Sequence, residues 1–255
     1  MEVFMNLLRR GVLLALAVAL TFGASRAADR PLRALVVYGG HGFPTNEFMA
    51  AFRAMPDVEV EFDQFPRVAA RLRPGLEGDF DVLVRYDMFG PASEEERRYF
   101  LALIETGIGL VALHHAIASH PDWPDYARLI GGGKYLLKPQ VWEGAERFKS
   151  TYSHGETVPV RIADRTHPIV RGVEDFIIHD ETYGGMWVAP DVHVLLTTDH
   201  PKSNRELAWA REHGRARVAY LQLGHDATAY RHPAWSRLVR QAMFWTARRD
   251  PAPSP

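Results

Sequence analysis

"GLVALHHAIASH", Gly109–His120, decides the fold. Five residues with no polar side chain run without interruption into two adjacent histidines. A continuous apolar run of this length is a strand covered on both faces, which means a parallel sheet with helices above and below. In such sheets ligands bind beyond the carboxyl ends of the strands. His114 and His115 therefore sit where chemistry is expected, as catalytic groups or as metal ligands.

Working outward, the neighbouring segments carry the same pattern. Ala34–Tyr38 is an apolar strand that enters the Gly-rich turn "GGHG". "TNEFMAAFRAM" follows as a helix, with Thr45 as its expected N-cap. "VEVEFDQF" alternates Val58, Val60 and Phe62 with acidic residues and reads as a half-exposed strand. "FDVLVRYDMFG" has an apolar centre and is the third strand. "SEEERRYFLALIETG" is a helix with a Ser93–Glu96 capping box and a stop at Gly107. The second half differs. "WPDYARLIGG" is helical, and a polar excursion runs from Lys134 to about Glu156. "VPVRIAD", "HVLLTTD", "RELAWARE" and "RVAYLQLG" are strand-like, with a hairpin turn around "EHGR". The last helix, "PAWSRLVRQAMFWTARR", places Trp235, Leu238, Val239, Ala242 and Met243 on one face. The expected fold is α/β: a doubly wound, mostly parallel sheet with an antiparallel extension.

The chain has 255 residues, a formal charge of −1 and no Cys. Disulfides, thiol nucleophiles and thiolate ligands are therefore excluded. Dispersed Lys and Arg leave no nucleic-acid footprint. Residues 1–27 read as a cleaved signal peptide: Arg9 and Arg10, an apolar Gly11–Phe22, then small residues Ser25 and Ala27. The protein is accordingly expected in the periplasm or outside the cell, free of the membrane after cleavage. Residues 28–250 form the expected single domain and 251–255 a flexible tail. The exposed second-half sheet offers a face for a homodimer. The 12 His and 6 Trp suit acid/base or metal chemistry and stacking on sugars, although many Trp belong in the core.

Several polar residues share one topological position. His41 follows the first strand, Asp87 the third, and His114 and His115 the fourth; His225 and Asp226 follow "RVAYLQLG". The fold brings them to one rim. "IIHDETYGG" adds His179, Asp180, Glu181 and Tyr183. If this stretch is extended, His179, Glu181 and Tyr183 share a face and Asp180 lies on the other. Glu181 suits a general base or an oxygen ligand. His154, in the excursion, can fold over the rim, whereas His167 before Pro168 reads as a shaped turn. Substrate-binding roles are expected for His41, Asp87, Tyr183, His154 and Asp226. Catalytic roles are expected for His114, His115, Glu181 and His225. A divalent metal, zinc or manganese, is expected on His41, His114, His115 and His225.

"VVYGGHGF", "GLVALHHAIAS" with "WPDYARLIGGGKY", "THPIVRGVEDFIIHDETY" and "RVAYLQLGHD" with a later "FW" resemble the ThuA-like (trehalose utilisation) family. The likeness is collinear from about Arg33 to Arg249. It implies a sheet related to flavodoxin and to class I glutamine amidotransferases. In those amidotransferases a Cys occupies the tight turn that here reads "LHHA", so thioester glutaminase chemistry is excluded. Many relatives read "LHS" at that turn, which makes His114 the firmer of the two imidazoles. The resemblance further implies a small-molecule sugar or keto-sugar as partner. It points to action on 3-keto glycosides by proton abstraction next to a carbonyl, giving isomerisation or eliminative cleavage. The alternatives are a non-catalytic carbohydrate-binding protein and a metal-dependent glycoside hydrolase.

Overall fold

The computed structural model describes residues 30–250 apart from Phe89, Pro91, Gly131 and Gly132. The signal-peptide segment 1–27 and the tail 251–255 lie outside the described residues. The chain runs β1 (Leu32–Gly39), α1 (Thr45–Arg53), β2 (Val58–Gln64), β3 (Val82–Asp87), α2 (Glu94–Glu105), β4 (Gly109–Leu113) and α3 (Pro124–Leu129). Short strands β5 (Gly133–Lys134), β6 (Gln140–Trp142) and β7 (Ala145–Arg147) follow. Then come β8 (Thr151–Ile162), β9 (Phe176–Gly184), β10 (Trp187–Val188), β11 (His193–Thr197), β12 (Glu206–His213), β13 (Ala216–Leu221), α4 (Ala227–Tyr230) and α5 (Pro233–Thr246).

Nine strands form one sheet in the order β2-β1-β3-β4-β13-β12-β11-β8-β9. The first five are parallel and the last four pair antiparallel. The parallel half has the flavodoxin-like strand order, with its topological switch between β1 and β3. The expected doubly wound fold with an antiparallel extension is what the structure shows. Alternation within each strand feeds two cores. Leu32, Ala34 and Val36 pack with Phe48 and Phe52 of α1 and with Trp235 and Leu238 of α5. Leu35 and Val37 pack on the other face with Phe100, Leu103 and Ile104 of α2.

Ser93 and Glu96 form the expected capping box at α2, and Gly107 takes a positive φ of 97° just past its end. Thr45 does not cap α1. Pro44 holds that position, and the Thr45 hydroxyl instead donates to the Phe43 carbonyl at 3.1 Å. The polar excursion is more ordered than its sequence implies, containing the β6–β7 hairpin and the first half of β8. Gly40 brings the β1 loop against the β3 loop. A Cβ there would lie 1.9 Å from the Met88 carbonyl oxygen, so only glycine permits the approach.

Candidate functional site

β4 stops at Leu113, and His114 opens a 3-10 turn with φ at +49°. A left-handed conformation is costly for a residue with a Cβ, and the surroundings hold it. The Tyr220 hydroxyl donates to the His114 carbonyl at 3.0 Å. The His114 Nδ1 lies 2.6 Å from the Gln222 carbonyl. A carbonyl only accepts, so Nδ1 carries the proton and Nε2 points into the site.

Three ligand atoms converge there. His114 Nε2 is 2.9 Å from Glu181 Oε2 and 3.2 Å from His225 Nδ1, and His225 Nδ1 is 3.2 Å from Glu181 Oε2. Tyr183 Oη sits 2.8 Å from the same Nε2. With Nδ1 donating to Gln222, Nε2 can accept from the Tyr183 hydroxyl and His225 Nδ1–H can donate to Glu181. This leaves the His114 Nε2–Glu181 Oε2 contact as the one that a shared proton or a cation among the three atoms would satisfy. These atoms are the one such converging group among the described residues. Two imidazoles and a carboxylate suit zinc or manganese, and the Nδ1–H bond to a backbone carbonyl is the usual outer support of a metal-ligating histidine.

The other expected residues fall into three groups. His154 reaches in from β8, its Nδ1 3.2 Å from Glu181 Oε1, with its side chain 57% exposed. His41 is exposed at the rim, its ring 5.0 Å from that of His115 and 6.2 Å from that of His225. His115 turns inward. Its Nε2–H donates to the Tyr86 carbonyl at 3.1 Å, and its Nδ1 is buried without a hydrogen bond. His41 and His115, read from the sequence as metal ligands, are thus not in the converging group, and Glu181 takes that place. Asp87 and Asp226 are committed elsewhere. The fully buried Asp87 carboxylate pairs with Arg85 at 2.5 and 2.6 Å. Asp226 caps α4 by accepting from the Thr228 and Ala229 amides. His167 is the shaped turn expected, its Nδ1 accepting from the Ile169 amide.

β9 is extended, with Glu181 and Tyr183 turned to His114, while His179 on the same face is exposed. Asp180, on the opposite face as expected, supports the site from behind, a role the sequence reading did not give it. It is 2% exposed, and its carboxylate accepts from the amides of Glu181 (2.9 Å), Gly224 (2.7 Å) and His225 (2.9 Å). The Tyr86 and Tyr230 hydroxyls donate to the Gly224 and His225 carbonyls. The turn that presents His225 is therefore clamped from both sides. The available signal was an acid beside Glu181 on a strand face that packs on the core, where a carboxylate needs donors.

The electrostatics separate these groups. Burial pushes the Glu181 carboxyl up, but the bonds to His114 and His225 outweigh it and hold it below the usual range. Hydrogen bonding to Glu181 raises His225. Burial, with His225 and His114 nearby, lowers His41. Burial, with His114 and His41 nearby, lowers His115 well below the ordinary value. Burial raises Asp180 against the pull of His114 and its three amide donors.

Fold and site together define a flavodoxin-like α/β protein with histidine at the elbow where β4 passes into its 3-10 turn. The chain belongs to the ThuA family, described as trehalose utilisation, whose model matches residues 34–246. It is similar to a ThuA-like protein from Parabacteroides merdae, with TM-score 0.71 and 19% identity, covering 89% of this chain and 94% of that one. A cytoplasmic protein from Salmonella typhimurium matches with TM-score 0.55 and 13% identity, over 84% and 99%. A GH42 β-galactosidase, Gan42B from G. stearothermophilus, matches with TM-score 0.54 and 14% identity, over 88% of this chain and 31% of that one. At these identities the likeness is one of fold. No curated protein matches the sequence.

Proposed function

We propose that this ThuA-family protein acts, outside the cytoplasm, on 3-keto glycosides such as 3-ketotrehalose, removing the proton at C2 beside the carbonyl. The convergence of His114 Nε2, Glu181 Oε2 and His225 Nδ1 within 2.9–3.2 Å carries the proposal. With a divalent cation bound, such a cluster would place positive charge where an enediolate oxygen develops negative charge. His114, Glu181 and His225 would hold a divalent cation, which when bound supplies Lewis-acid polarisation of the carbonyl. Glu181, held ionised by its imidazole partners, orients them and is a poor acceptor for a carbon-bound proton. His41 is exposed and has only ring contacts with the cluster. It is the imidazole free to take the C2 proton. In isomerisation the O2 proton passes to O3 and the abstracted proton returns to C3, so that C2 becomes the carbonyl. In elimination the C2–H electrons form the C1–C2 double bond, the C1–O bond breaks, and the leaving oxygen takes a proton from Tyr183 or His154.

The test incubates the protein, without a His tag, with 3-ketotrehalose in D2O, with and without chelator. Wild type is expected to exchange or release the C2 hydrogen. His114→Ala should lose at least about a hundredfold, the scale for removing one transition-state donor. Absence of exchange and of product in wild type, with metal supplied, would overturn the proposal.

A further inference from the structure

We infer that Tyr152 is a stacking platform for the sugar ring next to the reacting one. The inference rests on the keto-glycoside reading for its kinetic test, and calorimetry with trehalose tests it apart from that reading.

Five of the six Trp are buried, at 0–9% exposure, so the residue type expected to stack on sugar is unavailable in the core. The exposed large apolar side chains among the described residues are Val141, Phe148, Tyr152 and Ile177. Register places only Tyr152 directly opposite a residue of the site. Tyr152 pairs across the β8–β9 ladder with Tyr183, whose hydroxyl touches His114. Opposed residues in such a ladder share a face. His154, two residues on, has its Nδ1 3.2 Å from Glu181 Oε1. The Tyr152 and His154 rings meet edge to face at 5.2 Å, and the His154 and His225 rings lie 4.6 Å apart. Tyr152, His154 and His225 thus form a continuous line of rings leading outward from the converging triangle.

Tyr152 ends that line 61% exposed, and no hydrogen bond within the described residues holds its hydroxyl. Buried aromatics here serve the core; this one keeps its ring in water beside the His154 imidazole. A pyranose presents an apolar C–H face to a ring and hydroxyls to its edge. The line Tyr152–His154 offers both, as the aromatic body of Tyr152 with the His154 imidazole at its edge. A ligand with one ring at the triangle has its next ring over β8. The occupant is therefore the second sugar of a disaccharide.

The experiment compares 3-ketotrehalose with 3-ketoglucose, which lacks the second ring, for wild type, Tyr152→Ala and Tyr152→Phe. The ratio of kcat/KM for the disaccharide to that for the monosaccharide is expected to fall about tenfold in Tyr152→Ala, through KM, and to stay within about twofold in Tyr152→Phe. An unchanged ratio in Tyr152→Ala overturns the inference, as does an equal loss in Tyr152→Phe. If wild type converts neither keto-sugar, the keto-glycoside reading fails by itself. The platform is then judged by calorimetry with trehalose. Weaker binding by Tyr152→Ala than by wild type supports it; equal binding, or none by wild type, overturns it.

Discussion

Replacing Asp180 with Asn tests the clamp on His225. The carboxylate uses Oδ1 for the Glu181 and His225 amides and Oδ2 for the Gly224 amide. Asn has one oxygen. Its best orientation keeps that oxygen at the two-donor position and points its NH2 at the Gly224 N–H. One charge-assisted hydrogen bond is lost, a donor faces a donor, and the two remaining bonds weaken. Removing a charge whose burial is unfavourable offsets part of this. The net loss is about 3 kcal/mol, from the 1.5–3 of a charged hydrogen bond and the cost of an unsatisfied buried amide. Urea unfolding followed by Trp fluorescence reads the stability. Hydrogen exchange at C2 of 3-ketotrehalose, in variant that is folded, reads the site. Both should fall, because the Gly224–His225 turn loses the donor pairing that sets the imidazole against Glu181. A variant within about 0.5 kcal/mol of wild type and with full exchange would refute the reasoning.

Two further outcomes follow from the Arg85 network beneath the elbow. Asp87→Asn leaves a buried guanidinium without its counter-charge and is expected to cost about 3–5 kcal/mol in urea. The folded fraction should keep its kcat, since the Asp87 carboxylate is spent on Arg85 and not at the rim; a selective loss of turnover would return Asp87 to the site. His120 is 5% exposed, and burial beside Arg85 lowers it to about 4 from 6.5. Its imidazole is neutral in the folded state where the unfolded chain already binds a proton. Stability is therefore present above 6.5 and lost as pH falls toward about 4. The change is about 3 kcal/mol, from roughly 1.4 per pH unit. His120→Gln should reduce the loss of stability between pH 7 and pH 4, read from urea midpoints, by about that amount, with His115 and His167 supplying the rest; an unaltered slope assigns it wholly to other histidines.

The parallel half was legible because strands covered on both faces have no polar alternation to confuse them. β1, β3 and β4 each read as an apolar run, and the capping box marked α2. The antiparallel half was less so. The first half of β8 carries exposed Tyr152 and His154 and an irregular register between Ser153 and Glu156, so it reads as part of the polar excursion. At the site, strand-end position alone found His41, His114 and His225, because topology dictates where strand ends meet. It also enrolled Asp87 and Asp226, whose carboxylates local partners capture: a guanidinium two residues back for one, helix amides for the other. No pattern in the chain distinguishes a carboxylate that faces the cleft from one that a neighbour has claimed. The same limit separates His114 from His115, which are adjacent but turned to different surroundings.

That divergence explains why the elbow carries two histidines. A residue at φ +49° after a strand throws its side chain across the sheet end, and the next one turns back toward the preceding strand. His114 is fixed at its far nitrogen by Gln222 and at its carbonyl by Tyr220, leaving Nε2 as the only reactive atom. His115 spends its Nε2–H on Tyr86, whose own hydroxyl steadies the Gly224 carbonyl. One imidazole therefore serves the triangle directly. The other ties the elbow to the residue that braces the His225 turn. Held at Nδ1, the His114 imidazole can donate, accept or ligate only at Nε2, the atom turned to Glu181 and His225.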